Sequence, residues 1–432
     1  MGAGLRERVV ETVLPNGLKV LLLENPKAPL LTFQVWYRVG SRNEEWGKTG
    51  LSHLLEHMMF KGTPKVGPDE FSRTVQDHGG DYRAFTFQDF TAYIENLGAD
   101  QAQVAIELEA DRMRNLLLRE PEFQTERLVV MEERRLRTED NLTAFLLEQV
   151  QAMAFQTSPY HWPVIGWMPD LARLTREDLQ AYYRTYYHPV NAFLVVVGDF
   201  QPAELLPKIA QAFGSYPPGT AVDPEKNIDP PQLGERRIIV QKASQVPSLA
   251  MGYHVPSLRE SDSYVLEVIA AILAAGRSSR LYQRLVQKRP LVLNVGAHHS
   301  LLSRDPNLFS LTATLLPGRD VGEVEKALDQ EIERLQREPV GQRELEKAQN
   351  SLEASFLLAQ DSLFQQAMLL ARYEVAFGWR AIDQYLSAIR DVTPEAIQRV
   401  AQRYLTSKNR TVGTLLPPPR KEGEKSSAGE AE

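Results

Sequence analysis

Two homologous domains of the α+β class are what this sequence predicts, and three observations carry that expectation. Strand-like and helix-like stretches are mixed along the chain instead of alternating strictly. Distant segments repeat at one fixed shift: Arg119-Glu120-Pro121 recurs as Arg337-Glu338-Pro339, 218 positions on, and Thr175-Arg-Glu-Asp-Leu-Gln meets Thr393-Pro-Glu-Ala-Ile-Gln at the same shift. A seam from Tyr216 to Arg236, punctuated by Pro217-Pro218-Gly219, Asp223-Pro224 and Pro230-Pro231, separates the two copies. The expected division is a first domain over 1–215, an ordered or semi-rigid linker over 216–236, a second domain over 237–416, and a disordered Pro/Lys/Glu/Ser/Gly-rich tail over 417–432.

In the first copy, apolar runs over Val9–Leu14 and Leu18–Leu23 flank Pro15-Asn16-Gly17. Asn-Gly between such runs predicts a hairpin. Leu31–Val39 reads as a further strand. Helical patterning runs from about Thr49–Ser52 through Phe60, and Pro68-Asp69 can begin another helix. After Gly79-Gly80, Tyr82–Phe87 and Thr91–Leu97 read as strands. Asp100–Leu118, Glu122–Thr138 and Asn141–Gln156 read as successive helices, the first with Asp100 as its expected N-cap. Thr175–Tyr186 is one more helix and Ala192–Val197 a last strand. The second copy repeats the plan.

Composition removes several function classes. A formal charge of −7, with no basic run interleaved with aromatics, gives no reason to expect nucleic acid or an anionic membrane surface as partner. The Gly276-Arg277-Ser278-Ser279 stretch lacks the glycine and lysine pattern of a phosphate loop. No stretch reaches the ~20 apolar residues of a membrane span. Met1–Arg8 has no apolar core of a signal peptide in this form, and the compartment stays unassigned: cytoplasmic by default, periplasmic if a precursor was processed. With no cysteine, a metal would have to sit on His, Asp or Glu.

His53-Leu54-Leu55-Glu56-His57 is the most specific pattern in the chain. On a helix, positions i, i+3 and i+4 share one face. One turn can therefore aim two imidazoles at a metal and a carboxylate at the metal's water. H-x-x-E-H is the inverzincin signature, and zinc bound by two His and one carboxylate keeps an open position. The plain alternative is a pair of polar side chains on a half-buried helix. The apolar flanks Gly50-Leu51-Ser52 and Met58-Met59-Phe60 argue against it, because an unpaired ionisable trio there would be costly to bury. The third ligand is sought in 126–137. Glu126 and Glu133, seven apart, share a helix face, with Glu132 turned by about 100°. That allows Glu133 as ligand and Glu126 behind a ligand His, while a charged solvated face fits the same spacing equally well. The remaining histidines, His78, His161, His188, His254, His298 and His299, are expected to be structural.

These residues resemble the pitrilysin/insulinase family of zinc peptidases, which includes the mitochondrial processing peptidases. The resemblance covers nearly the whole chain. It rests on Asn16-Gly17-Leu18, on Gly50 through Thr63, on Gly79-Gly80, Ala84-Phe85-Thr86 and Glu126 with Glu133, and on His188-Pro189-Val190-Asn191. It implies a clam-shell architecture with a zinc-binding catalytic first domain. It places the distal ligand 76 positions after His57, at Glu133, and gives Glu126 the supporting role. It implies that Glu56 takes a proton from the zinc-activated water and returns it to the leaving amine. Peptide substrate is expected to add as a strand along an edge near Tyr82–Phe87, against Arg83, Ala84 and Phe85. Many members carry Asn where this chain has Arg83, and a basic residue there is expected to favour acidic substrate positions.

The resemblance also exposes a departure. Complete members carry an Arg and a Tyr seven apart in the second half that stabilise the tetrahedral intermediate. Here Val286 and Leu293 occupy those positions. Losing such donors typically costs ~100–1000-fold in rate. Heterodimeric members divide the labour, and this chain is accordingly expected to be the zinc-bearing subunit of a pair whose zinc-less paralogous subunit supplies the Arg and Tyr. A slower self-sufficient enzyme using Arg289 or another group, and a non-catalytic assembly subunit, are the alternatives. Ser351 stands at the repeat position of Glu133, so the second half is expected to hold no zinc.

Overall fold

The computed structural model of the chain describes residues 5–222 and 227–418. Asp223 and Pro224 of the seam and the tail from 419 onward lie outside the described residues, as do the first four.

Two mixed sheets share one plan. The first contains β1 (Val9–Val13), β2 (Lys19–Glu24), β3 (Leu30–Tyr37), β4 (Asp81–Thr86), β5 (Thr91–Gly98) and β6 (Ala192–Gly198), in the order β1-β2-β6-β3-β5-β4. The second contains β7 (Arg236–Gln241), β8 (Ser248–Val255), β9 (Val292–His299), β10 (Asn307–Leu315) and β11 (Arg410–Leu416), in the order β7-β11-β8-β10-β9. In each, the last strand of its half pairs parallel to the first long one, β6 on β2 and β11 on β7. The remaining neighbours are antiparallel. The first half differs by the added hairpin strand β1. The duplicated α+β architecture read from the repeated segments is thus the architecture of the molecule.

β4 ends the first sheet, pairing with β5 alone and leaving its other edge open. It overlaps Tyr82–Phe87, the stretch in which the family resemblance implies a sheet edge. Along β3, alternation sends Phe33, Val35 and Tyr37 to the core beneath the helices of the first half and Trp36 to the opposite face.

That opposite face is covered by a helix from the other half. Leu363–Ala376 lays Ala367, Leu370 and Ala371 against Trp36, Phe193, Val195 and Val197. In return, Leu142–Ala154 of the first half sets Leu146 and Val150 on Ala250 and Leu415 of the second sheet. The approach is so close that a Cβ at Gly413 would lie 2.4 Å from Val150 Cγ2. Each half therefore completes the other's core. A buried polar knot adds to the tie. The Asp89 carboxylate, in the β4–β5 turn, accepts from Arg42 Nη1 at 2.9 Å, Tyr160 Oη at 2.8 Å and the Arg304 backbone N–H at 3.1 Å. Arg42 also reaches Asp305 at 2.5 Å.

One expected cap is corrected. Asp100 lies in a short 3-10 turn, Ala99–Gln101, before the helix Ala102–Asn115, and makes no capping bond. Its carboxylate instead accepts from Gln101 Nε2 at 2.9 Å. The expected helix Glu122–Thr138 runs as an α-helix from Glu120 to Arg134 and then opens into a π-turn, Arg135–Glu139.

Candidate metal centre

The motif lies on the helix Leu51–Met58, whose start is held by two devices. Gly50 has φ 92°, and a Cβ there would meet Leu171 Cδ2 at 2.6 Å and the Ile165 carbonyl oxygen at 2.8 Å. Only glycine fits both the left-handed backbone and the space. Glu44, buried, then accepts from the Gly50 N–H at 2.7 Å and the Ser52 N–H at 2.8 Å, satisfying donors that open the helix. Nothing in the sequence marked Glu44 for this.

From that helix, both His53 and His57 turn Nε2 toward Glu133 on the helix Glu120–Arg134. His53 Nε2 is 3.8 Å from Glu133 Oε1, and His57 Nε2 is 3.2 Å from Oε2. One ligand atom from each of the three lies within 4.8 Å of the other two. Among the described residues this is the single group of three His, Cys, Asp or Glu placed closely enough to hold an ion. The donors fit one. Buried His53 has Nδ1 without a partner, and its Nε2 stands beyond hydrogen-bond reach of Glu133. Its imidazole is therefore left unsatisfied by the protein. Two nitrogens and a carboxylate form the ligand set of an open zinc site.

The electrostatics are divided between the rings. Burial and the neighbouring His57 push His53 down to about 4, so it is neutral. Burial also pulls on His57, but hydrogen bonds to Glu126 and Glu133 outweigh it and raise the metal-free ring to about 9. Glu126 Oε2 lies 3.2 Å from His57 Nδ1 and accepts from it. Its other oxygen lies 2.8 Å from Lys61 Nζ, a partner the sequence did not signal. Although burial opposes it, these two donors hold Glu126 below the usual carboxylate range. The hydrogen bond from His57 does the same for Glu133.

Glu56 points into the same cleft, where burial raises its pKa against the opposing hydrogen bond from Thr86. Thr86 Oγ1 on β4 donates to Glu56 Oε2 at 2.5 Å, tying the acid to the edge strand. The cleft encloses about 490 Å³ and is lined by His53, Glu56 and Glu133, by Ala84 through Gln88, and by a wall from His161 to Ile165. His161, expected to be structural, thus also faces the cleft, its Nδ1 held by the Ser158 carbonyl.

Of the expected substrate contacts, Ala84 and Phe85 line the cleft and Arg83 does not. Arg83 stacks over Phe364 at 5.4 Å and reaches Asp81 at 3.3 Å. Its guanidinium is thus engaged by residues outside the cleft lining. Val286 lies in the π-turn Tyr282–Lys288, packed on the second core, and Leu293 is a half-exposed residue of β9. The guanidiniums nearest in sequence are engaged: Arg284 with Glu331 at 2.5 Å, and Arg289 with Glu323.

Known proteins resemble most of the chain. Residues 19–166 match the family described as Insulinase (Peptidase family M16), and residues 173–352 match Peptidase M16 inactive domain. Zinc protease PqqE of Helicobacter pylori is 32% identical over 94% of this chain and 92% of its own length. An uncharacterized zinc protease of Bacillus subtilis, YmxG, is 24% identical over 90% of this chain and 94% of its own. Among solved structures, a protease from Helicobacter pylori superposes with a TM-score of 0.92 at 31% identity, covering 95% of this chain and 99% of that one. A peptidase M16 inactive domain from Pseudomonas fluorescens shares the fold, with a TM-score of 0.85 at 17% identity over 96% of this chain and 99% of that one.

Proposed function

This chain belongs to the insulinase family of peptidases, and on that premise we propose that it is a zinc-dependent endopeptidase of oligopeptides or unfolded segments. The single observation that carries the reading is the convergence of His53 Nε2, His57 Nε2 and the Glu133 carboxylate from two separate helices. The relatives named as zinc proteases agree with it.

His53, His57 and Glu133 would hold the ion. Bound zinc supplies Lewis acidity, acidifying a water and polarising the scissile carbonyl. Glu126 accepts the His57 Nδ1 proton and so keeps the Nε2 lone pair directed at the site. Lys61 keeps Glu126 charged for that task. Glu56 accepts the proton of the attacking water and delivers it to the departing amine. Its raised pKa favours holding that proton between the two transfers. Thr86 fixes the orientation of Glu56 and couples it to β4, whose open edge would take the peptide main chain as an added strand.

We further propose that a zinc-less paralogous subunit completes the site. The support is the absence of a donor at Val286 and Leu293 together with the ion pairs that occupy Arg284 and Arg289. Peptidase assays of the purified zinc-loaded chain, alone and after adding a zinc-less paralogue from the same source, test this. Cleavage that rises on addition supports the division of labour, and full activity alone removes it. Equal cleavage by wild type and Glu56→Gln would favour a non-catalytic assembly role.

A further inference from the structure

Arg137 occupies the π-turn Arg135–Glu139, directly after the helix that carries Glu133. Such turns recur at functional sites because the extra residue re-aims side chains. Here Arg137 Nη1 comes to 2.9 Å from Glu133 Oε1 while its side chain stays 77% exposed. Among the described residues it is the only Lys or Arg lining the metal cleft.

The carboxylates around it are committed elsewhere. Glu148 is held through both oxygens by Arg134, at 2.9 and 2.8 Å. Glu56 is bonded to Thr86. Glu133 is a donor to the ion in the reading given above, and its charge is then shared with a divalent cation. Arg137 is then a largely exposed guanidinium whose one carboxylate partner, Glu133, is shared with the ion. The same cleft is also lined by uncharged residues, among them Ala144, Leu147 and the Pro163–Ile165 segment.

We propose that Arg137 is a specificity-determining residue that selects peptides carrying an acidic side chain beside the scissile bond. The planar fork of a guanidinium matches a carboxylate in two parallel hydrogen bonds, and a strand laid along β4 would bring its side chains past this position. Arg83, the basic residue of the edge strand itself, is stacked on Phe364 and does not line the cleft.

The inference rests on the peptide-cleft reading and fails separately from it. The zinc-loaded full chain carrying Glu56→Gln serves as a trap. It is titrated with fluorescent peptides in which Glu, Gln or Lys is walked through a short uncharged sequence, with Arg137 intact and as R137A and R137E. Zinc content is measured in each variant. With Arg137 intact, Glu at one position binds about fivefold tighter than Gln, and Lys binds weakest. R137A levels the three, and R137E reverses their order. The same order in R137A, no order with Arg137 present, or no peptide binding overturns the proposal. Zinc-dependent cleavage without charge preference overturns it while leaving the peptidase intact. The binding order without any Glu56-dependent cleavage does the reverse.

Discussion

Glu126 and His57 are joined through the ring nitrogen that faces away from the metal donors: Glu126 Oε2 lies 3.2 Å from Nδ1, while Nε2 faces Glu133. The carboxylate thereby fixes the tautomer of the ring and is itself fixed by Lys61. Glu126→Gln should weaken zinc binding by about 10–100-fold, the usual cost of losing such a partner. Lys61→Met should act in the same direction and less strongly. Competition with a chromophoric chelator measures both, and unchanged affinity in Glu126→Gln would remove the supporting role.

Zinc uptake should release a proton. In the metal-free protein His57 titrates at about 9, above its ordinary value, and must be neutral to bind. His53, pushed down to about 4, is already neutral. Apparent zinc affinity should therefore rise about tenfold per pH unit as pH climbs toward 9, then level off. Calorimetry in buffers of different ionisation enthalpy counts the proton. The same group makes a folding prediction. Because its folded pKa is raised, the stability it gives the metal-free protein is fully present below its unfolded value and is lost as pH rises through about 9. Glu126→Gln should flatten that loss in thermal melts.

The motif helix should depend on Glu44. Truncating it to Ala leaves the Gly50 and Ser52 N–H groups buried without an acceptor, at a cost of ~1–3 kcal/mol. Denaturant unfolding of the metal-free protein measures the cost, and a change within ±0.5 kcal/mol would contradict the capping role.

Exchange of helices makes the halves interdependent. Leu370→Ala should destabilise the protein by ~2–5 kcal/mol although Leu370 belongs to the second half and packs on the first sheet. Residues 1–222 expressed alone should expose the face bearing Trp36, Phe193, Val195 and Val197, and should fail to give a cooperative melt. A sharp, reversible transition in that fragment would show that the borrowed helix is dispensable.

Legibility in the sequence followed the range of the interaction. His53, Glu56 and His57 could be read directly because one helical turn brings them together, and β1–β2 could be read from Asn16-Gly17. Glu133 and Glu126 could be narrowed to one face by spacing, but only the family resemblance separated a ligand from a solvated surface. Glu44 and Arg137 were silent, and Lys61 and Thr86, though they lie within stretches that carry the resemblance, had no role assigned. Their roles depend on where a loop, the register of β4 and a π-turn deliver side chains, and no local period encodes that. The stretch Asn141–Gln156 could be read as a helix, but not which sheet it would cover, and the helix Leu363–Ala376 was implied only by the repeat. Asp100 had the chemistry of a cap, but a 3-10 turn moved the helix start past it.

Zinc stoichiometry and peptide cleavage, measured on the same preparations of wild type and Glu56→Gln with and without a zinc-less paralogue, test the central claim most directly. The account predicts one zinc per chain in both proteins, cleavage by the wild type in the presence of the paralogue, and loss of that cleavage in Glu56→Gln by about 100-fold or more. Chains that take up no zinc, or that cleave equally well with Gln at position 56, would contradict it.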